Sequence, residues 1–308
     1  MAFGRLGSMG VGFGHLGAPP ATGGAVAAAA PVLSVASAVD FSDIFVWGQA
    51  TTDVASGTLY AVVVASAAST PSAAQIVAGT DAAGAAAPNG SVAVTATGAK
   101  TVLVRGLTAV TAYKVCMTHR ANSLNSNVVT GSFTTDTLVI SFATAGAATN
   151  MTASTGSAAF GTNIADPTGG TGAIRWTDVN DSVSGQVLAT CTVAAFFNGV
   201  NKVHLSVKLQ GGAAHFKVNT AAITAVNIFS FFNSSTGVIG TNNAGWTPTP
   251  VTFDLGSGWW MWSGQANLAG ADVAGQLTFN KSSVDNGSTV TRNGTHIQDL
   301  YNIRITRV

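Results

Sequence analysis

Residues able to do chemistry are few in this chain. All twelve acidic side chains are aspartates; there is no glutamate. Glycoside hydrolysis needs two carboxylates at a set separation, one with a raised pKa. Asp178 and Asp181, in the phrase Asp-Val-Asn-Asp, are the pair to weigh. Their setting suits turn chemistry, or a loop of oxygen ligands for calcium, better than an acid and a nucleophile. The five histidines are His15, His119, His204, His215 and His296. None has His-x-His or His-x-x-x-His spacing and no cysteine cluster joins them, so zinc is not expected. His204 and His215 could meet across adjacent strands; otherwise they read as surface histidines. Neither a Gly-x-Ser-x-Gly elbow nor a phosphate loop is present. The expectation is a protein with no cofactor and no catalytic residues.

The most suggestive stretch is Ser257 to Gly264, Ser-Gly-Trp-Trp-Met-Trp-Ser-Gly. In a strand, Trp260 and Trp262 share one face, and Trp259 and Met261 share the other. If one face fills the core, the other exposes its aromatic residues about 7 Å apart. Trp260 with Trp262 is then a candidate platform for a sugar ring or another chain. The alternative buries both faces, one in a core and one in a subunit interface.

The elements that position these residues follow from composition. Only 8% of residues are charged, against roughly 25% in ordinary domains. Gly, Thr, Ser and Val interspersed with Ala favour strands and turns over helices, so the chain reads as all-β. Its six Lys and seven Arg are dispersed and the formal charge is +1, which argues against a nucleic-acid groove. The basic stretch Arg304 to Arg307 reads as an exposed strand face. Cys116 and Cys191 fall in different predicted domains and read as free thiols, suited to folding in a reducing compartment.

Residues 1–34 read as a glycine-rich anchoring arm. Phe3-Gly4-Arg5-Leu6-Gly7 returns as Phe13-Gly14-His15-Leu16-Gly17. Glycine at this density opposes helix, costing about 1 kcal/mol each relative to alanine. Phe3, Arg5, Leu6, Phe13, His15 and Leu16 are the expected anchoring contacts on another subunit. Ala25 to Val39 has the look of a signal-peptide core, with Ala36-Ser37-Ala38 as an A-x-A site. The long glycine-rich stretch before it holds one Arg, so removal of a leader is not expected. No run reaches the roughly 18–20 apolar residues of a membrane span.

From residue 35 the pattern changes to short strands. Ile44, Val46 and Gly48 alternate with Phe45 and Trp47; Tyr113, Val115 and Met117 alternate with Lys114, Cys116 and Thr118. Leu107, Thr111, Tyr113 and Val115, followed by Phe133-Thr134-Thr135, resemble the second half of a fibronectin type III domain over residues 35–137. The resemblance implies a β-sandwich with a tyrosine corner built from Leu107 and Tyr113, and with Trp47 as a core tryptophan of the second strand. The Ala/Gly-rich stretch from Ala78 to Gly98 departs from that family. The fold says nothing about function.

Residues 138–308 hold about ten further strand signals at close spacing, which predict a two-sheet jelly roll. In Lys202 to Leu209, Val203, Leu205, Val207 and Leu209 point inward and His204, Ser206 and Lys208 outward. The closing stretch His296 to Val308 is similar to the last strand of carbohydrate-binding-module-like jelly rolls.

Arm, spacer sandwich and terminal jelly roll together resemble a virion appendage or decoration protein of a tailed bacteriophage. That likeness implies a non-enzymatic structural protein, displayed on the particle and docked by its arm on other virion proteins. It also implies a homo-oligomer, with a trimer favoured, and an outward jelly roll that contacts host surface glycans. The alternative is a secreted carbohydrate-binding protein with a fibronectin-like spacer.

Overall fold

The computed structural model describes residues 29–142, 146–196, 199–221, 228–268, 273–287 and 289–308. The anchoring-arm residues Phe3, Arg5, Leu6, Phe13, His15 and Leu16 lie outside the described residues. Within them the chain is all-β, with one short helix and antiparallel sheets.

The first part contains β1 (Leu33–Phe41), β2 (Phe45–Thr52), β3 (Thr58–Ala65), α1 (Ala73–Ala78), β4 (Asn89–Ala93), β5 (Gly98–Arg105), β6 (Ala112–Ala121), β7 (Leu124–Asn125) and β8 (Val129–Thr134). One sheet runs β1-β2-β5. The other runs β4-β3-β6, with β7 and β8 sharing the far edge of β6. Val46, Ala50, Val63, Val104, Val115 and Met117 fill the space between them. Gly48 faces the same core, where an added Cβ would come within 2.9 Å of Val115. Ala36 to Ala38 sits inside β1, so cleavage after Ala38 would sever a paired strand.

The tyrosine-corner residues meet as follows. Leu107 is buried, and the Tyr113 hydroxyl accepts the Thr108 amide at 3.2 Å. Trp47 is a correction. Alternation in β2 turns Val46 and Ala50 to the core, so Trp47 points out of the sandwich, where it is buried by the second one. The stretch that departs from the fibronectin pattern holds α1 and β4. The helix starts at a capping box, with Ser72 and Gln75 each bonding the other's backbone, and stops at Gly79 in the left-handed region (φ 72°).

The second part contains β9 (Thr137–Phe142), β10 (Met151–Ala153), β11 (Gly161–Ile164), β12 (Ala173–Thr177), β13 (Asn180–Gly185), β14 (Leu188–Phe196), β15 (Gly199–Gly211) and β16 (His215–Ala221). It continues through β17 (Ile228–Asn233), β18 (Ile239–Asn242), β19 (Val251–Gly256), β20 (Trp259–Leu268), β21 (Val273–Ser282), β22 (Val290–Asn293) and β23 (Ile297–Arg307). A seven-stranded sheet runs β11-β12-β23-β15-β20-β19, with β9 also on β23; a six-stranded sheet runs β10-β14-β21-β16-β17-β18. Val203, Leu205 and Val207 of β15 face Phe216, Phe232 and Phe279 in the core between them. The inward set expected from alternation is therefore the buried one at these three positions.

The outer face of the seven-stranded sheet is not free. At one end the first sandwich covers it. Met261 packs with Phe45 and Trp47, and the Trp47 ring stacks on Phe253. Three aspartates on the first-sandwich side meet a histidine, an arginine and a lysine across this junction. The Asp40 carboxylate lies 3.2 Å from His204 Nε2, Asp43 lies 2.7 Å from Arg304, and Asp136 lies 3.3 Å from Lys202. Lys202 also sits over the Phe41 ring at 3.7 Å.

His204 and Arg304 were expected on exposed faces; here His204 is buried and Arg304 is partly buried. Their strands do turn them away from the jelly-roll core, but another sandwich covers that side. Burial raises the Asp40 carboxyl, yet His204, Lys202 and Ser263 outweigh it and hold it below its ordinary value. At Asp136 burial wins over Lys202 and Thr306, and its carboxyl is raised.

Candidate functional site

At its other end the outer face of the seven-stranded sheet is open. Arg175 on β12 is directly opposite Asp299 on β23, which is opposite Lys208 on β15, which is opposite Trp259 on β20. Residues facing each other in register point to the same side, so these four form one row straight across four strands. The row borders a cleft of about 520 Å³, closed on one side by residues 163–169 and on another by the end of β19 and the turn that follows it, Leu255 to Ser257.

The carboxylates of this cleft are committed as acceptors. Arg175 grips Asp299 bidentately at 2.8 and 3.0 Å, and Gln210 adds a third bond at 2.6 Å. Asp166 accepts from Thr168 N and Oγ1 (2.7 and 2.6 Å), Gly170 N (3.2 Å) and Gly172 N (2.8 Å). Burial raises the Asp166 carboxyl, but these bonds together outweigh it and leave it below the usual range. The loop needs glycine at two of these positions: a Cβ on Gly170 or Gly172 would lie 2.8 or 3.0 Å from Asp166 Oδ2. An acid catalyst would need a carboxyl pushed up and free to donate. Asp166 is pushed down, and both oxygens of Asp299 are engaged. The cleft is thus equipped to hydrogen-bond a polar ligand, through Arg175, Lys208, Gln210 and Ser257, with the buried Trp259 behind them.

The other residues singled out from sequence fall elsewhere. Trp262 is fully buried in the jelly-roll core, edge-on to Trp246 with centroids 5.1 Å apart. Trp260, on the same side, is half-buried over the 233–238 hairpin: its Nε1 donates to Ser235 O, and Gly237 lies so close that a Cβ would overlap the ring. The expected Trp260–Trp262 platform is therefore not formed, because that side of β20 faces inward. The opposite side is buried too, Met261 against the first sandwich and Trp259 edge-on to Tyr301.

Asp178 and Asp181 do not converge on a calcium loop. Asp178 is buried and accepts the amides of Asn293, Gly294 and His296, while Asp181 pairs with Arg292 at 2.8 Å. His204 and His215 lie in different sheets. Among the described residues, no three His, Cys, Asp or Glu side chains cluster where they could hold a metal ion. Cys116 and Cys191 are free and buried in separate sandwiches, and burial raises both thiols. Sequence reasoning missed the cleft residues Arg175, Asp299, Lys208 and Gln210. The one local signal is the Asp166-Pro-Thr-Gly-Gly-Thr-Gly turn phrase.

No family model matches the chain, and no curated protein matches it. Among solved structures, the secreted serine protease VesC from Vibrio cholerae is similar over 88% of this chain at 10% identity, with a TM-score of 0.22. The chain spans 50% of that protease's length. The C-terminal domain of the antigen I/II-family protein AspA from Streptococcus pyogenes is similar over 89% of this chain and 99% of its own, at 11% identity and a TM-score of 0.19. At these TM-scores neither likeness carries an argument about this chain.

Proposed function

We propose that this is a non-enzymatic structural protein of a tailed-bacteriophage particle, docked by its glycine-rich N-terminal stretch. Its second sandwich turns the cleft of Arg175, Asp299, Lys208 and Gln210 toward glycans of the host surface. The observation that supports binding is the cleft itself: donors and acceptors in one row on a rigid sheet, with its carboxylates locked as acceptors. Sites built on strands hold their geometry better than sites on loops, and hydroxyl-rich ligands match such mixed donors and acceptors. The particle reading rests on the doubled Phe-Gly-x-Leu-Gly opening and the low charge, since burying few ionisable groups in an assembly desolvates little charge. A homo-oligomer, a trimer by preference, would multiply weak distal contacts.

A glycan array probed with the whole protein tests the binding, with Lys208→Ala and Gln210→Ala as controls. Glycan signal lost in both variants at unchanged melting temperature supports the reading, and an array with no signal overturns it. Labelling intact particles for this chain tests the location. Soluble protein in culture medium with no particle signal would favour the secreted carbohydrate-binding alternative.

A further inference from the structure

We propose that the cleft continues past Leu255 and Gly256, at the end of β19, into a groove on the first sandwich, and that the two together bind a segment of an acidic polysaccharide. This rests on the glycan-binding reading above and names the class of glycan. Leu255 and Gly256 border both spaces, the cleft of about 520 Å³ and a groove of about 710 Å³ walled by β4, β5 and Asp254. Each is within the roughly 300–1,000 Å³ that takes one compact ligand. Two in succession suit a chain of sugars rather than a single one. The path crosses the junction where Trp47, itself a wall of the groove, stacks on Phe253. The halves are thereby held in one arrangement.

Charge selects the ligand. Lys208 in the cleft and Lys100 and Arg105 in the groove make no ion pair with a described residue. Two of the aspartates along the path are engaged through both oxygens, and the third, Asp254, is exposed with one oxygen engaged. Asp299 is held by Arg175 and Gln210, Asp166 by its own loop, and Asp254 accepts the Gly256 amide at 2.7 Å. With Arg175 and Asp299 cancelling as a pair, the cations Lys208, Lys100 and Arg105 outnumber the remaining carboxylates Asp166 and Asp254 along the path. Burial lowers the Arg105 guanidinium from its ordinary value, partly countered by Tyr301 and Asp166 of the second sandwich. Carboxylates repeated along a polysaccharide would meet these cations in turn, each contact weak and screened by salt, and the sum made strong by their connection in one chain.

Calorimetric titration of the whole protein with galacturonate dimers, tetramers and hexamers, and with neutral maltohexaose, tests this. The acidic hexamer is expected to bind about tenfold or more tighter than the dimer, to weaken as salt rises, and to outbind maltohexaose. Combining Lys100→Ala with Arg105→Ala should bring the hexamer down to the affinity of the dimer, with an unchanged melting temperature confirming the fold. Equal affinity at all lengths, equal binding of maltohexaose, or no effect of the double variant would overturn the inference. If Lys208→Ala still abolished binding in those cases, the glycan-binding reading would stand without it. Failure of every sugar to bind would overturn both.

Discussion

Trp47 of the first sandwich stacks on Phe253 of the second, with ring centroids 4.4 Å apart and planes 11° from parallel. Both rings belong to strands, so the contact joins two sheets rather than two loops. The surrounding apolar cluster, two ion pairs and the Asp40–His204 contact complete a junction that is apolar at its centre and polar around it. Interfaces between domains are usually more polar and permit motion; this one couples the two sandwiches.

Removing the stack should uncouple them. Trp47→Ala is expected to cost about 3–5 kcal/mol, as for other buried tryptophans. Much of the loss should fall on the junction. Scanning calorimetry should then resolve two transitions, where the parent is expected to show one. A single transition merely shifted downward would mean that the charged contacts suffice.

Asp43 and Arg304 test the charged part. Their side chains are 4% and 13% exposed. Arg304→Met alone leaves a buried carboxylate without its partner and should cost about 3–5 kcal/mol. Adding Asp43→Leu should recover most of that loss, because the desolvation of both charges disappears with them. Urea unfolding of the two single variants and the double variant measures the coupling. Additive losses would show that the pair acts as two independent groups.

Trp262→Ala separates core from platform. With Trp262 fully buried, the expected loss is about 3–5 kcal/mol, read as a fall in melting temperature. Trp260→Ala should cost less, since that ring is only half-buried. Glycan binding at the cleft should survive in the Trp260 variant.

Lys281 makes stability depend on pH. Its ammonium is fully buried, donates to the carbonyls of Trp176 and His296, and lies 4.4 Å from the Trp176 ring centre. Burial pushes its pKa down to about 7, only partly countered by Asp178 and Asp299. Between about 7 and the ordinary lysine value near 10.4, the unfolded chain therefore binds more protons than the folded one. Stability should rise with pH across that window, by at most about 1.4 kcal/mol per pH unit from this group. Lys281→Met should flatten the rise, which melting curves of both proteins from pH 7 to about 10 would show. An unchanged slope would mean the lysine is charged at neutral pH in the folded state.

Local pattern carried the strands and their faces. The alternation in Lys202 to Leu209 separates Val203, Leu205 and Val207 from His204, and the structure keeps that separation because a pleated strand allows no other. Leu107 and Tyr113 are also local, five or six residues spanning one turn, and their spacing was enough. The capping box Ser72 to Gln75 and Gly79 are equally local, but they lie in an Ala/Gly-rich stretch where composition gives α1 no periodicity to stand out by.

What covers each outward face was decided only by tertiary structure. Alternation says that Trp47 and Val46 oppose each other, and that Trp259 and Trp262 do. It cannot say which side meets a core, because a face covered by a second sandwich is as apolar as one inside the first. The same holds for the charges. Asp40 and His204 are 164 residues apart in the chain, and Arg175 and Asp299 are 124 apart. Such groups are brought together by sheet order and register, to which sequence separation is no guide. The all-β fold follows from side chains and their immediate neighbours. The junction and the cleft arise from which sheets pack and where one sandwich stops covering the other.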